Sequence, residues 1–480
     1  MDTSTANPTA RPCIAVVGGG ISGLTAAYRL SRLLPDARIE LFEASERLGG
    51  VLHTRCDDGY LIEFGADSFI DKLPAAVELC HELGLADEII PTNEYPRRAL
   101  VLYDGSLHRV PSGFVQMRAE EYLPMLRSPI LSWRGKLRLL AERWIAKSPM
   151  VETENYDESV ASFASRRLGR EVFERLVQPL LAGIYTADAE KLSTAATMVT
   201  AIDAERQHGS LRAATLNARR NQQAASKASG ARYASFVTLR SGLDQLVRSL
   251  ADHLTDATFH LETPVDRIRL TTDDRWSVGA GSTDHQFDAI VVALPAPRAA
   301  QLLAPTNQAL SSALFEIPYA SSAVAALVYR RDQIADELDG FGMVVPSVEG
   351  RKIVAASYSS IKFPNRVPDG HVLLRVFVGG ALQSELLDHT DEQLLDLAHS
   401  EVGQILRITG GPVRRELVRW QEKMPQYHVG HLQLVDRIEQ LVATHRRLAL
   451  AGNAYHGVGI PQCVRSGELA AKSIAESFRL

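Results

Sequence analysis

The stretch CIAVVGGGISGLTAAYRLSRLL, residues 13–34, decides the fold. A short apolar run, Cys13 to Val17, enters a turn in which Gly18, Gly20 and Gly23 stand in the spacing GxGxxG, and a helical pattern follows. Each glycine has its own task. The first permits the tight turn, the second lets backbone approach a pyrophosphate, and the third lets the helix pack on the strand. The helix start, with Gly18, Gly19, Gly20, Ile21, Ser22 and Gly23, offers free amide donors and the positive end of a dipole to phosphate. A second strand pattern, RIELFE, ends at Glu43, twenty residues past Gly23, where a carboxylate can accept hydrogen bonds from ribose hydroxyls. Glycine-rich turns also arise from packing alone, but strand, helix, second strand and terminal acid at these separations read together as a dinucleotide site.

Beginning at Glu43, the string EASERLGG supplies Ala44, Arg47, Gly49 and Gly50, followed by Val51. This EA-x-x-R-x-GG extension resembles the FAD-dependent amine oxidase superfamily and implies FAD rather than NAD. The same resemblance implies that Gly65, Ala66, Asp67 and Ser68, in EFGADSF, run along the flavin.

At 480 residues the chain exceeds one compact core, so two or three units are expected, with room to bury a large ligand. With 45% apolar and 23% charged residues it is globular, which excludes disordered, collagen-like and coiled-coil classes. A formal charge of -5 argues against a dedicated nucleic-acid binder. Cys13, Cys56, Cys80 and Cys463 lie far apart with no ligand spacing, so neither a disulfide framework nor a zinc site is indicated, and a reducing compartment is expected. No run of about 18 apolar residues occurs. MDTSTANPTARP lacks a basic start followed by an apolar segment and reads as a short disordered leader. A cytoplasmic protein is expected, with peripheral contact at the inner face of the cell membrane as a further option.

Two later segments read as more of the nucleotide domain: residues 258–295, with short strands joined by turns, and RRLALAGN (446–453), after which a helix opens near Pro461. The fold class is therefore α/β (α+β overall): a discontinuous Rossmann-like FAD domain from 12–92, 231–300 and 440–480, a sheet-containing substrate domain from 93–111 and 301–439, and a helical domain over 112–230. In WRGKLRLLAERWIAK, Trp133, Leu137, Leu140 and Trp144 recur at helical spacing among Arg134, Lys136, Arg138, Arg143 and Lys147. This basic amphipathic helix either packs its apolar stripe on the core or also docks on an anionic membrane. From Arg206 to Arg240 there are seven basic residues and no acid, which reads as a mobile solvated loop.

More specific strings follow: RRLGREVFERLVQPLLAGIYTADAEKLS (166–193), ERQHGSL (205–211), FVTLRSGLDQLVRSL (236–250), PQYHVGH (425–431) and AGNAYHGVGIPQCVRSGELAA (451–471). These resemble, in the same order, the protoporphyrinogen/coproporphyrinogen oxidase family. The resemblance implies FAD contacts by Gly18 to Gly23, Glu43, Val51, Gly65 to Ser68, Val265 at the adenine, Gly452, Asn453, Val458, Gly459 and Ile460. It implies substrate contacts by Gly183 and Ile184 and by a propionate-binding arginine, matched best by Arg98 with Arg97 as its competitor. Lys72 is a further cation for a wider, more cationic mouth. The sequence departs from the family at SGLDQL, where Ser241 replaces the first glycine of GGL and weakens the inferred turn.

The resemblance implies a six-electron oxidation of coproporphyrinogen III or protoporphyrinogen IX, two electrons at a time, by hydride transfer to flavin and reoxidation by dioxygen to hydrogen peroxide. It accounts for the lack of a Ser/His/Asp triad, metal cluster or carboxylate pair, and no side chain is assigned as catalytic. The expected partners are the porphyrinogen and dioxygen, with transfer of product to a ferrochelatase and a homodimer also compatible. An amine oxidase or desaturase on the same scaffold, and a non-catalytic flavin-bound tetrapyrrole carrier, are the competing readings.

Overall fold

The computed structural model describes residues 11–94, 98–115, 117–119, 121–225 and 236–479. The chain opens with β1 (Cys13–Val17), α1 (Ile21–Leu33) and β2 (Arg38–Phe42), passes through β3 (Tyr60–Glu63), and reaches β4 (Leu100–Tyr103). Helices then dominate, among them α2 (Trp133–Leu140) and α3 (Gln178–Tyr185). The chain returns through α4 (Asp244–Asp252), β5 (Thr258–His260), β6 (Val265–Leu270), β7 (Trp276–Ala280), β8 (Thr283–Phe287) and β9 (Ala289–Val292). Next come β10 (Tyr319–Arg330), β11 (Gly342–Val344), β12 (Ala355–Tyr358), β13 (His371–Gly379), α5 (Asp391–Leu406), β14 (Arg414–Pro425), β15 (Leu448–Leu450) and α6 (Ile460–Ser477).

Strands from distant parts of the chain form one parallel five-stranded sheet in the order β5, β2, β1, β9, β15. Its central strands are apolar almost throughout because both faces are covered. Alternate residues of β1 go to opposite sides: Ile14 and Val16 pack with α1, α4 and α6, whereas Ala15 and Val17 meet Trp276 and Phe287 of the antiparallel β6–β7–β8 layer.

A second, seven-stranded sheet runs β14, β10, β13, β12, β11, β4 and a short outer strand, Ser106–Arg109. One face packs under α5, with Leu374, Val376 and Val378 against Leu394, Ala398 and Val402. The intervening residues, including Val324, Arg375, Phe377, Ala355 and Val344, therefore point to the other face. The twelve-residue β14, RRELVRWQEKMP, has no apolar signature, because one flank of this edge strand is dressed with ion pairs such as Arg415–Asp396 at 2.6 Å and Arg419–Asp391 at 2.7 Å.

Two sequence expectations change. The stripe on α2 and the turn after it does not pack on the core: Trp133, Leu137 and Trp144 are 67%, 57% and 70% exposed. The inward side carries Gly135, Leu139 and the polar Glu142. Fully buried Glu142 pairs with fully buried Arg167 and accepts the N–H groups of Leu211 at 2.9 Å and Arg212 at 3.1 Å. Arg138 donates to the carbonyls of Arg166 and Arg167 at 2.5 and 3.2 Å. These polar anchors rotate the helix so that its apolar stripe faces outward. The basic loop expected over 206–240 is helical over Val199–His208 and Leu211–Ala225 and extended over Phe236–Leu239, while 226–235 lie outside the described residues.

The Ser241 departure has no cost to the turn, because Gly242 takes the left-handed conformation (φ +91°) while Ser241 donates its N–H and hydroxyl to Glu88 at 3.2 and 2.9 Å. The helix that follows starts on a buried acid: Glu63 accepts Leu243 N–H at 2.8 Å and the Thr54 hydroxyl at 2.7 Å. Burial pushes the Glu63 carboxyl from 4.5 up to about 7, against the pull of those two donors and of Arg366 and Arg375. The folded state therefore holds this proton more tightly than the unfolded chain, so stability from this group is complete below about pH 4.5 and is lost as pH rises through 7. The loss is on the order of 3 kcal/mol. Glu63→Gln keeps an acceptor in place and is expected to raise the thermal midpoint at pH 8, with the gain vanishing below about pH 4.5 in melts across that range.

Candidate functional site

Gly18 sits at φ +110° with its Cα against the Ala293 carbonyl, and a Cβ at Gly23 would collide with the Gly18 carbonyl. These two glycines serve packing. Gly20 differs: a Cβ there would meet nothing within 4 Å, so the turn opens onto free space at the start of α1. No side chain caps that helix start, which leaves its first N–H groups directed at the opening. Ile21 and Ser22 are buried behind it, and the Ser22 hydroxyl donates to the Cys463 carbonyl of α6 at 2.9 Å.

Glu43 flanks the opening and accepts Gly19 N–H at 2.8 Å and both the N–H and hydroxyl of Ser45, at 2.9 and 2.7 Å. A carboxylate has about four acceptor positions, so one is left for a hydroxyl. Ala44 is exposed beside it. The turn that follows lies on the glycine loop, with Gly49 N–H donating to the Gly19 carbonyl at 2.8 Å and Gly50 next to Gly20. Arg47 shapes this turn from behind, donating to the carbonyls of Leu48, Gly50 and Leu52 at 3.1, 2.6 and 3.0 Å. Val265 is buried at the start of β6, and its carbonyl accepts from Arg298 at 2.8 Å.

The Gly65–Ser68 segment crosses to the second sheet. Gly65 lies so close to the Val51 carbonyl that no Cβ fits, and Arg375 of β13 donates to its carbonyl. Asp67 pairs with Lys362 at 2.8 Å and Arg375 at 3.0 Å, and the Ser68 hydroxyl joins it at 2.8 Å. Burial pushes the Asp67 carboxyl upward, but Lys362 and Arg375 outweigh it and hold the group well below the usual carboxylate range. Arg375 Nε is buried without a partner, an N–H available beside the segment expected to line the ring. At the C-terminal end, Gly452 takes φ +139°, Asn453 donates to the Lys423 carbonyl at 3.2 Å, and Val458 leads to Gly459 and Ile460 at the start of α6, which again has no side-chain cap. The open cradle at Gly20, two uncapped helix starts and the placed Glu43 fit a dinucleotide cofactor with phosphates and a ribose.

Of the residues expected to meet substrate, Gly183 of α3 would place a Cβ 3.5 Å from Val344, so the helix approaches the second sheet on the face opposite α5 through a residue without a side chain. Ile184 is 56% exposed next to it. Arg98 lies 3.4 Å from Asp339, which also holds Arg109; Arg97 is outside the described residues, and Lys72 is exposed. Sequence reasoning missed Arg375, Lys362 and Tyr427. A lone arginine inside the apolar run HVLLRVFVGG was the available signal for Arg375, since a charge in a buried strand needs a partner. No group of three or more metal-ligating side chains occurs among the described residues.

The profile of the family described as flavin containing amine oxidoreductase matches residues 21–475. Coproporphyrinogen III oxidase of Bacillus subtilis is 30% identical over 95% of this chain and 96% of its own length. Protoporphyrinogen oxidase of Bos taurus is 32% identical over 96% of this chain and 98% of its own. A crystal structure from Exiguobacterium, of a protein assigned as a protoporphyrinogen oxidase, superposes with a TM-score of 0.86 at 29% identity over 97% of this chain and 99% of that one. Cyclohexylamine oxidase of Brevibacterium oxydans, at 18% identity and a TM-score of 0.69, shares the fold. The chain is thus an oxidoreductase that belongs to the flavin-containing amine oxidoreductase family.

Proposed function

We propose that this protein is an FAD-dependent, oxygen-linked porphyrinogen oxidase of heme biosynthesis, with coproporphyrinogen III as its preferred substrate over protoporphyrinogen IX. The observation that carries this reading is likeness at about 30% identity along nearly the whole chain to proteins of that activity, coproporphyrinogen III oxidases among them. When bound, FAD supplies the two-electron acceptor for hydride from a meso carbon. The protein's own part is placement. Backbone N–H groups at Gly20 and Gly459 hold phosphate and ring, Glu43 holds the ribose, and Gly65 to Ser68 line the ring edge. Gly183, exposed beside Val344, is the residue we assign to the edge of the macrocycle, and Arg98 and Lys72 are the cations we assign to its propionates. The domain boundaries 12–92, 231–300 and 440–480 for the cofactor unit, 93–111 and 301–439 for the substrate unit and 112–230 for the helical unit belong to the same reading. Dioxygen is the final electron acceptor we assign, and a ferrochelatase is the consumer we assign to the product.

Anaerobically prepared coproporphyrinogen III and protoporphyrinogen IX, offered side by side in air, are expected to yield porphyrin fluorescence and peroxide above the autoxidation blank, faster with the former. Equal background rates for both would sink the reading. For the cofactor site, Gly20→Val is expected to leave the thermal midpoint of the apoprotein nearly unchanged while lowering flavin retention at least about tenfold, as read by absorbance per protein. Gly18→Val, at φ +110° against the Ala293 carbonyl, is expected to lose the fold itself.

No helix among the described residues is long and apolar enough to cross a membrane. We infer peripheral docking instead. The outward Trp133, Leu137 and Trp144 have the amphipathic character of interfacial anchors, and Arg134, Lys136, Arg143 and Lys147 rim them. Each cation near an anionic surface contributes about 1 kcal/mol. The protein is expected to co-sediment with vesicles containing phosphatidylglycerol and not with pure phosphatidylcholine, and Trp133→Ser with Trp144→Ser is expected to cut that binding at least about tenfold. Equal partitioning into both vesicle types would count against this surface.

A further inference from the structure

One motif is not absorbed by the cofactor and substrate contacts above: PQYHVGH, residues 425–431. Its short strip of chain touches two of the other distinctive segments, 166–193 and 451–471. Gln426 Nε2 donates to the Tyr185 carbonyl at the end of α3, at 3.1 Å. Ser193 N–H donates to the Tyr427 carbonyl at 2.7 Å, and Val429 N–H to the Lys191 carbonyl at 2.9 Å. Tyr427 itself reaches the other way. Its hydroxyl donates to the Asn453 carbonyl at 2.5 Å and accepts Gly457 N–H at 2.8 Å. The ring stacks on His431 with centroids 3.9 Å apart, and His431 Nε2 bonds the Tyr455 carbonyl at 3.0 Å.

The turn so tied, 452–457, begins and ends on glycines in left-handed conformations, Gly452 at φ +139° and Gly457 at φ +135°. Such glycines resist collapse to one conformation, so an external tie is needed to fix the turn. Two residues past Gly457 the uncapped start of α6 begins. One hydroxyl therefore closes both ends of the loop that sets the position of that helix start, from a strip that also holds the end of the helix bearing Gly183. Burial pushes the Tyr427 phenol up, so it stays protonated and its donor bond persists.

We propose that Tyr427 is a positioning residue, holding the cofactor-facing start of α6 in register with the substrate-facing helix α3. The claim rests on the porphyrinogen oxidase reading for its kinetic arm and on flavin binding alone for its spectroscopic arm. Tyr427→Phe in the holoenzyme keeps the ring stack and deletes both hydroxyl bonds. The expected result is a shift in the visible circular dichroism of bound flavin, flavin content within twofold of the parent, and a kcat about tenfold lower with KM changed by less than threefold. The control is Tyr329→Phe, which deletes a buried hydroxyl bond to His399 Nδ1 (2.8 Å) on the far face of the second sheet. It is expected to lower the thermal midpoint as well, with flavin dichroism and kcat unchanged. Tyr427→Phe matching that control in both readouts would overturn the assignment. Should Tyr427→Phe fail to fold, 3,5-difluorotyrosine at 427 keeps both contacts with altered strength, and an unmoved flavin dichroism would overturn it equally. If the parent oxidises neither porphyrinogen, the functional reading fails while the dichroism still decides this one.

Discussion

One largely buried carboxylate joins the two sheets at the candidate site. Asp67 leaves the Gly65–Ser68 segment and ends between Lys362 and Arg375, both carried by the second sheet and the short helix beside it. Desolvating a carboxylate costs several kcal/mol, and only cations held at hydrogen-bond distance repay it. The group is therefore stable only when the two layers stand in one relative position. Arg375 adds a bond to the Gly65 carbonyl, and the Trp420 indole of β14 donates to the Phe64 carbonyl at 2.8 Å. The backbone of residues 64–68 and the second sheet are thus joined by directional polar contacts. A hydrophobic contact of the same area would tolerate sliding, and a slide of 1 Å between donor and acceptor is costly for any transfer that needs contact geometry.

The two layers use different materials for different ends. Around the opening at Gly20, the candidate binding groups are backbone N–H donors at two uncapped helix starts, held by closely packed glycines: Gly18 against Ala293, Gly65 against Val51, and Gly467 of α6 against the Ser22 carbonyl. Backbone donors have no rotamers to freeze, so their orientation is settled when the fold is. At the junction with the second sheet, long charged side chains take over, because they can span the distance between the two layers. The unpartnered Arg375 Nε marks the point where these two systems meet.

Local spacing explains which of these features were legible. β1, α1, β2 and Glu43 fall within about thirty residues, and glycine, apolar run and acid each report on neighbours a few positions away. The direction of α2 was not legible for the same reason. Periodicity identifies an apolar side and a polar side, but which one faces inward was decided by Arg167 and Glu205, far along the chain. Glu142 and Arg167 need each other more than Trp133 needs the core, because an unpaired buried charge costs more than an exposed indole. β14 was hidden likewise, since its alternating Arg and Glu side chains report on partners across the edge of a sheet and on α5.

The distinctive strings present the sharpest case. QPLLAGIY, KLS, PQYHVGH and AGNAYHGVGIP stand up to about 280 residues apart, with nothing in any one of them to say why it should be as it is. In space they form one knot: Tyr185, Ser193, Gln426, Tyr427, Asn453 and Gly457 are linked by consecutive hydrogen bonds. A general flavin scaffold needs only the glycine turn and the helix starts. What the knot does fix is the end of α3 relative to the start of α6, through groups whose shown partners are all within the chain. At Gln426 and Tyr427 residue identity is set by these mutual contacts, so substituting either strains its distant partners directly.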